Sequence, residues 1–201
     1  MTKPIIMIDF GGVYFRNSTI PTAKKFSKKW GLSQKKIINA LVGHNWTEYA
    51  EGGCDGKDYW NYVSDKLNIS EKQTKQIRRA WYSFATPQNG MVNLVRRLKK
   101  KYKIAVLSSI TMEWIEFLEK KYKISNRFHD HHYSCDHRID KPDARFFESA
   151  MRKMKAKPEN CIVIDDNKTF IDAVKKIGAK TILFKNAKQL ELELKKIGVE
   201  V

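Results

Sequence analysis

The stretch Ile5-Ile6-Met7-Ile8-Asp9-Phe10-Gly11-Gly12-Val13-Tyr14-Phe15 decides the fold. Four consecutive apolar residues run into a carboxylate with two glycines behind it. That is the pattern of a buried strand delivering Asp9 to its C-terminal tip, where the backbone turns sharply. A carboxylate there needs a cation, a nest of backbone N–H groups, or both, to offset its burial. Taken alone, Asp-x-Gly-Gly equally suits a plain strand-ending turn, so the rest of the chain has to choose.

Working outward, the C-terminal half alternates helical faces with short apolar runs. Ile104-Ala105-Val106-Leu107 reads as a buried strand ending at Ser108, and Cys161-Ile162-Val163-Ile164 as another ending in Asp165-Asp166. Thr181-Ile182-Leu183-Phe184 is a further strand, and His131-His132-Tyr133 a weaker one. Helical faces lie between them, as in Met91, Leu94, Val95 and Leu98, or Phe146, Phe147, Ala150 and Met154. Such alternation predicts an α/β chain whose parallel sheet is covered by helices on both faces. From about Asn17 to Thr86 the pattern differs: apolar residues recur only at helical spacing, and Ser33, Asp55 and Ser70 stand where N-caps belong. This segment predicts an inserted helical unit of four or five elements.

In open parallel sheets ligands bind beyond the carboxyl ends of the strands. That rule brings Asp9, Ser108-Ser109 and Asp165-Asp166 to one crevice, and Lys141, before a helix that Asp143 caps, to the same edge. Carboxylates so close repel one another without a cation between them, and a hard divalent ion, Mg2+ first, suits oxygen ligands. Charge balance then invites a phosphate. The alternatives residue by residue are a helix-capping Ser108, a surface Lys141 and a turn-forming Asp165-Asn167.

Asp9-Phe10-Gly11-Gly12-Val13, Ser108, Lys141-Pro142 and Asp165-Asp166-Asn167, in this order and separation, resemble the four motifs of the haloacid dehalogenase-like hydrolase superfamily. Within it the chain looks most like the branch holding the phosphatase domain of soluble epoxide hydrolase and the small bacterial sugar-phosphate phosphatases. The resemblance implies a Rossmann-like core over residues 1–15 and 87–201, and an all-helical cap over residues 16–86. It implies a phosphatase acting on a small phosphorylated metabolite, a sugar phosphate among the candidates.

It also implies roles. Asp9 is the nucleophile, forming an aspartyl-phosphate that splits one hard displacement into two easier steps. Mg2+ is held by Asp9, the Gly11 carbonyl and Asp166, with Asp165 holding a metal-bound water or orienting the other ligands. Ser108 donates to a phosphoryl oxygen, and Lys141 supplies positive charge to Asp9 and the transferring group. Ser109, Gly11, Gly12 and Arg16 complete the expected substrate contacts. Tyr14, Phe15, Trp46, Tyr49 and the Gly52-Gly53-Cys54 turn are further candidates for the entrance.

One position departs from the family pattern. Two residues after the nucleophile most phosphatases of the superfamily carry an Asp that protonates the leaving oxygen, and here it is Gly11. A missing general acid typically forfeits ~10²–10⁴ in rate. Three readings follow: a slow phosphatase, a proton supplied by cap or substrate, or a fold retained for binding.

Composition bounds the remainder. The 201 residues carry 42% hydrophobic and 11% aromatic side chains, which argues for a folded globule. The net charge of +17 comes mostly from lysine doublets on amphipathic helices, which usually coat a solvated face. It also keeps open a second reading, a binding protein whose basic surface meets nucleic acid. Cys54, Cys135 and Cys161 are odd in number and lack CxxC spacing, as free thiols in a reducing cytoplasm would be. The opening apolar run is too short to span a membrane, so the expectation is a cytoplasmic protein with no membrane partner. Finally, His129-Asp130-His131-His132-Tyr133-Ser134-Cys135-Asp136-His137 is dense enough in histidine to suggest a transition-metal site, but strand alternation sends neighbours to opposite faces. His137 and Arg138, near Lys141 in sequence, are candidates for holding an anionic substrate.

Overall fold

A computed structural model describes residues 3–201. A single parallel sheet runs in the order β3-β2-β1-β4-β5, with β1 (Ile5–Ile8) at its centre, β2 (Lys103–Ser108) and β3 (Asp130–Tyr133) on one side, and β4 (Cys161–Asp165) and β5 (Lys180–Leu183) on the other. Strand alternation splits the core in two. Ile6, Ile8, Ile104, Val106, Ile162 and Ile164 face α6 (Asn89–Leu98), α7 (Met112–Tyr122) and α11 (Ala187–Lys196). Met7, Ala105, Leu107, Cys161 and Val163 pack against α9 (Ala144–Met154) and α10 (Lys168–Lys176). Every inward position of the central strands is buried on one face or the other, which is why these strands read as continuous apolar runs.

Five helices interrupt this core between β1 and α6. They are α1 (Thr19–Trp30), α2 (Gln34–Val42), α3 (His44–Ala50), α4 (Gly56–Leu67) and α5 (Glu71–Phe84). Ser33, Asp55 and Ser70 cap α2, α4 and α5 by accepting from the third backbone N–H, and Ser70 with Gln73 closes a capping box. The two crossings between insertion and core lie side by side. Phe15 and Pro87 form an antiparallel bridge, Arg16 N donates to Thr86 O at 2.9 Å, and Gln88 N donates to Tyr14 O at 2.9 Å.

The insertion is also fastened at a second point. Glu113, in the first turn of α7, accepts from Tyr49 Oη at 2.6 Å and from Trp60 Nε1 at 3.1 Å, and pairs with Arg78. Three insertion helices, α3, α4 and α5, are thereby gathered on one carboxylate of the core.

Candidate active site

β1, β2 and β4 are in register, Ile8 lying opposite both Val106 and Ile164, so the residues following them end level. Asp9 and Asp165 thus stand at one edge of the sheet, almost fully buried. Lys141 reaches between them, its Nζ 2.7 Å from Asp9 Oδ1, 2.7 Å from Asp165 Oδ2 and 3.3 Å from the Leu107 carbonyl. The lysine is held there because Asp143 caps α9 and Asp140 Oδ1 accepts from the Lys141 backbone N–H at 2.7 Å.

Oxygens of Asp9, Asp165 and Asp166 all lie within 4.8 Å of one another. Burial pushes the Asp9 carboxyl above its ordinary range, with Lys141 pulling it down and Asp165 and Asp166 pushing it up. Asp166 is raised by burial and then by Asp165. Burial also acts to lower the pKa of Lys141, but Asp9 and Asp165 overcome it and hold the ammonium charged. One ammonium faces three carboxylates, so the cluster carries surplus negative charge. A hard cation on the oxygens of Asp9 and Asp166 would relieve it, and the all-oxygen donor set fits that ion. Asp165 is already engaged, since Oδ2 meets Lys141 and Oδ1 accepts from Asn167 N at 2.7 Å. Its part is therefore to orient Lys141 and the turn that carries Asp166.

Glycine has a specific reason at position 12. Its φ is 83°, and a Cβ there would fall inside the Asp166 carboxylate. Gly12 lines neither cavity at the site, and its N–H is committed to Phe15 O at 2.9 Å, so it makes room for Asp166 and has no free donor for substrate.

Two adjoining cavities meet at this edge. The first, about 300 Å³, is the carboxylate crevice, bounded by Asp9, Asp140, Lys141, Asp165, Asp166 and Asn167. The second, about 160 Å³, lies under the insertion and is mostly apolar, with Phe10, Phe15, Val42, Trp46, Trp81 and Trp114 in its walls. Gly11, Trp46 and Ser109 belong to both. Ser108, at the end of β2, opens on the apolar cavity, and Arg16 stands at its exposed side.

Other expected contacts lie elsewhere. Tyr14 is buried and accepts from Arg127 Nη1 at 3.2 Å, away from both cavities, because its side chain follows the core and not the insertion. Tyr49 is taken up by Glu113. The Gly52 turn packs on the Cys135 backbone. The histidine tract is a strand with its polar flank. His132 Nε2 sits 2.7 Å from Ser149 Oγ and its ring stacks on His137, while His129 Nδ1 accepts from Ile104 N. Among the described residues its histidines and Cys135 form no metal-holding group, and neither His137 nor Arg138 lines the crevice.

Asp140 and Thr47 are crevice residues that motif reading missed. Thr47 belongs to an insertion helix, and only the tertiary fold brings it over the strand ends. The thiols of Cys54, Cys135 and Cys161 are unpaired, and among the described residues no helix is long and apolar enough to cross a membrane.

The arrangement has relatives. A family model described as haloacid dehalogenase-like hydrolase matches residues 11–184. Over 200 residues the chain is 24% identical to flavin mononucleotide hydrolase 1, a chloroplast protein of Arabidopsis thaliana, covering 98% of this chain and 79% of that one. Among solved structures, a Bacteroides thetaiotaomicron enzyme of the same family, in complex with magnesium and inorganic phosphate, superposes with a TM-score of 0.73 at 20% identity, over 92% of this chain and 95% of that one. A hydrolase of this type from Porphyromonas gingivalis gives a TM-score of 0.76 at 16% identity with all of both chains covered.

Proposed function

Because the chain belongs to the haloacid dehalogenase-like hydrolase family, we propose that it is a Mg2+-dependent phosphatase that cleaves a small phosphorylated metabolite through an aspartyl-phosphate on Asp9. The observation that carries this reading is the placement of Lys141 between Asp9 and Asp165, with Asp166 alongside, at the floor of an open crevice. When bound by Asp9, Asp166 and the Gly11 carbonyl, Mg2+ offsets the repulsion between an anionic nucleophile and an anionic phosphate. Lys141 keeps Asp9 aimed and lends positive charge to the transferring group. Ser108, whose hydroxyl has no protein hydrogen-bond partner among the described residues, is available to a phosphoryl oxygen. The magnesium and phosphate held by the Bacteroides relative support the same assignment.

The apolar cavity bears on the rest of the substrate. A polyhydroxylated sugar would find few hydrogen-bond partners among Phe10, Phe15, Trp46, Trp81 and Trp114, whereas an aromatic or aliphatic body gains from burial there. The activity named for the Arabidopsis relative, hydrolysis of flavin mononucleotide, points the same way. The test is Mg2+-dependent release of p-nitrophenol from p-nitrophenyl phosphate by the wild type and Asp9→Asn, followed by a panel of flavin mononucleotide, aryl, alkyl and sugar phosphates. Turnover that vanishes with Asp9→Asn supports the reading. Equal, negligible release from both proteins would favour a basic binding protein instead.

A further inference from the structure

Gly11 leaves nothing beside Asp9 to give a proton to a departing oxygen; a Cβ there would meet only Asp9 Oδ2, at 4.0 Å. If the phosphoryl group sits in the carboxylate crevice and the rest of the substrate in the apolar cavity, the bond to be cleaved crosses the junction of the two. Gly11, Trp46 and Ser109 are the residues common to both linings. Of these, glycine has no side-chain proton, and an indole N–H donates a hydrogen bond without giving up its proton. Ser109 has a hydroxyl, and that hydroxyl is hydrogen-bonded to Asp140 Oδ1.

Asp140 is suited to stand behind it. It is 6% exposed and lines the crevice, and its Oδ1 also accepts from Lys141 N, which fixes the side chain. Its Oδ2 has no hydrogen-bond partner among the described residues. Burial raises its carboxyl above the ordinary range, against the pull of Ser109 and Lys141. The Asp9, Asp165, Asp166 and Lys141 arrangement uses this side chain only as the Oδ1 acceptor that fixes the Lys141 backbone, and makes no use of its proton.

We propose that Ser109 and Asp140 form the proton relay that replaces the general acid missing at Gly11, an inference that rests on the phosphatase reading above. For the relay Asp140 carries its proton on Oδ1, the oxygen beside Ser109 Oγ, and the Ser109 hydroxyl turns from Oδ1 to the leaving oxygen. As the bond from phosphorus to that oxygen breaks and the bond to Asp9 forms, the leaving oxygen takes the Ser109 Oγ proton and Ser109 Oγ takes the proton from Asp140 Oδ1. The products are an alcohol, the aspartyl-phosphate and an ionised Asp140. In the second step a water attacks phosphorus and Asp9 departs as a carboxylate. The water's proton returns through Ser109 to Asp140, restoring the starting state.

The test compares kcat/KM for p-nitrophenyl phosphate, whose leaving group barely needs a proton, with that for 2-phenylethyl phosphate, whose alkoxide does. The proteins are the wild type, Asp140→Asn, Ser109→Ala, and each variant combined with Gly11→Asp. The relay requires both single variants to lose about 10²-fold or more on the alkyl ester and less than about tenfold on the aryl ester. Gly11→Asp should then restore alkyl turnover. Equal loss on the two esters would show that Asp140 merely positions Ser109 and Lys141, and would overturn the relay, as would an undiminished alkyl rate. Should Asp140→Asn fail to fold, Ser109→Ala decides alone, being the smaller change. Release of p-nitrophenol that is negligible in the wild type, or undiminished in Asp9→Asn, would instead overturn the phosphatase reading itself.

Discussion

Lys141 Nζ lies 2.7 Å from Asp9 Oδ1, and both side chains are only 7% exposed. A buried ion pair contributes little net stability, but removing one partner strands the other. Lys141→Met should therefore cost about 3–5 kcal/mol in metal-free buffer, because Asp9 and Asp165 are then left facing each other. Urea denaturation in EDTA and in Mg2+ checks this, and the deficit should shrink when Mg2+ is present. Turnover of p-nitrophenyl phosphate should fall at least about 10²-fold in the same variant.

Gly12→Ala should disable the cation site without replacing any of the residues that would hold the ion. The Cβ would displace the Asp166 carboxylate, and φ at 83° adds strain. For the wild type, Mg2+ at about 100 times its dissociation constant adds ~2.7 kcal/mol of stability. Thermal melts across a Mg2+ titration should show this rise in the wild type and little of it in Gly12→Ala or Asp166→Asn.

Glu113→Ala should loosen the insertion. It deprives Tyr49 and Trp60 of their acceptor and Arg78 of its partner, at a cost of about 1–3 kcal/mol. Trp46 and Trp81, in the wall of the apolar cavity, ride on the same helices, so KM for a bulky aryl phosphate should rise more than kcat falls. Steady-state kinetics read the split, and Glu113→Gln, which retains an acceptor, should keep part of the wild-type behaviour.

His132 gives the fold an acid-side limit. Burial, with His137 and Lys153 nearby, lowers its pKa to about 3 from an ordinary 6.5. Below pH 6.5 the unfolded chain takes up a proton that the folded one refuses, so stability is present above 6.5 and is lost as pH falls toward 3. The slope from this group is at most about 1.4 kcal/mol per pH unit. Denaturation midpoints between pH 7 and 4 should therefore fall less steeply for His132→Phe than for the wild type.

The sheet was legible because β1, β2 and β4 are buried on both faces and leave unbroken apolar runs. The candidate site was legible in part because its carboxylates directly follow those runs. Asp140 escaped notice because a lone aspartate in a polar loop looks like turn chemistry until Ser109 is set against it. Tyr14 failed for the opposite reason: its nearness in sequence to Asp9 suggested the entrance, but the turn sends it into the core beside Phe128. Glu113 sits in the first turn of a helix, where acidic residues are ordinary, so its hold on Tyr49, Trp60 and Arg78 had no local signature.

The paired crossings at Phe15 and Pro87 have a mechanical consequence. Two chain crossings hydrogen-bonded to each other bend together, at one place, as the leaf of a door turns on a single pin. A swing that widens the mouth of the apolar cavity has to break contacts at the free edge, the Glu113 cluster and the Ser134 Oγ–Ala50 O hydrogen bond among them, while the pin stays intact. On the proposed function, the helices that wall the apolar cavity can therefore drift in sequence and shape while the carboxylate crevice at the strand ends stays fixed.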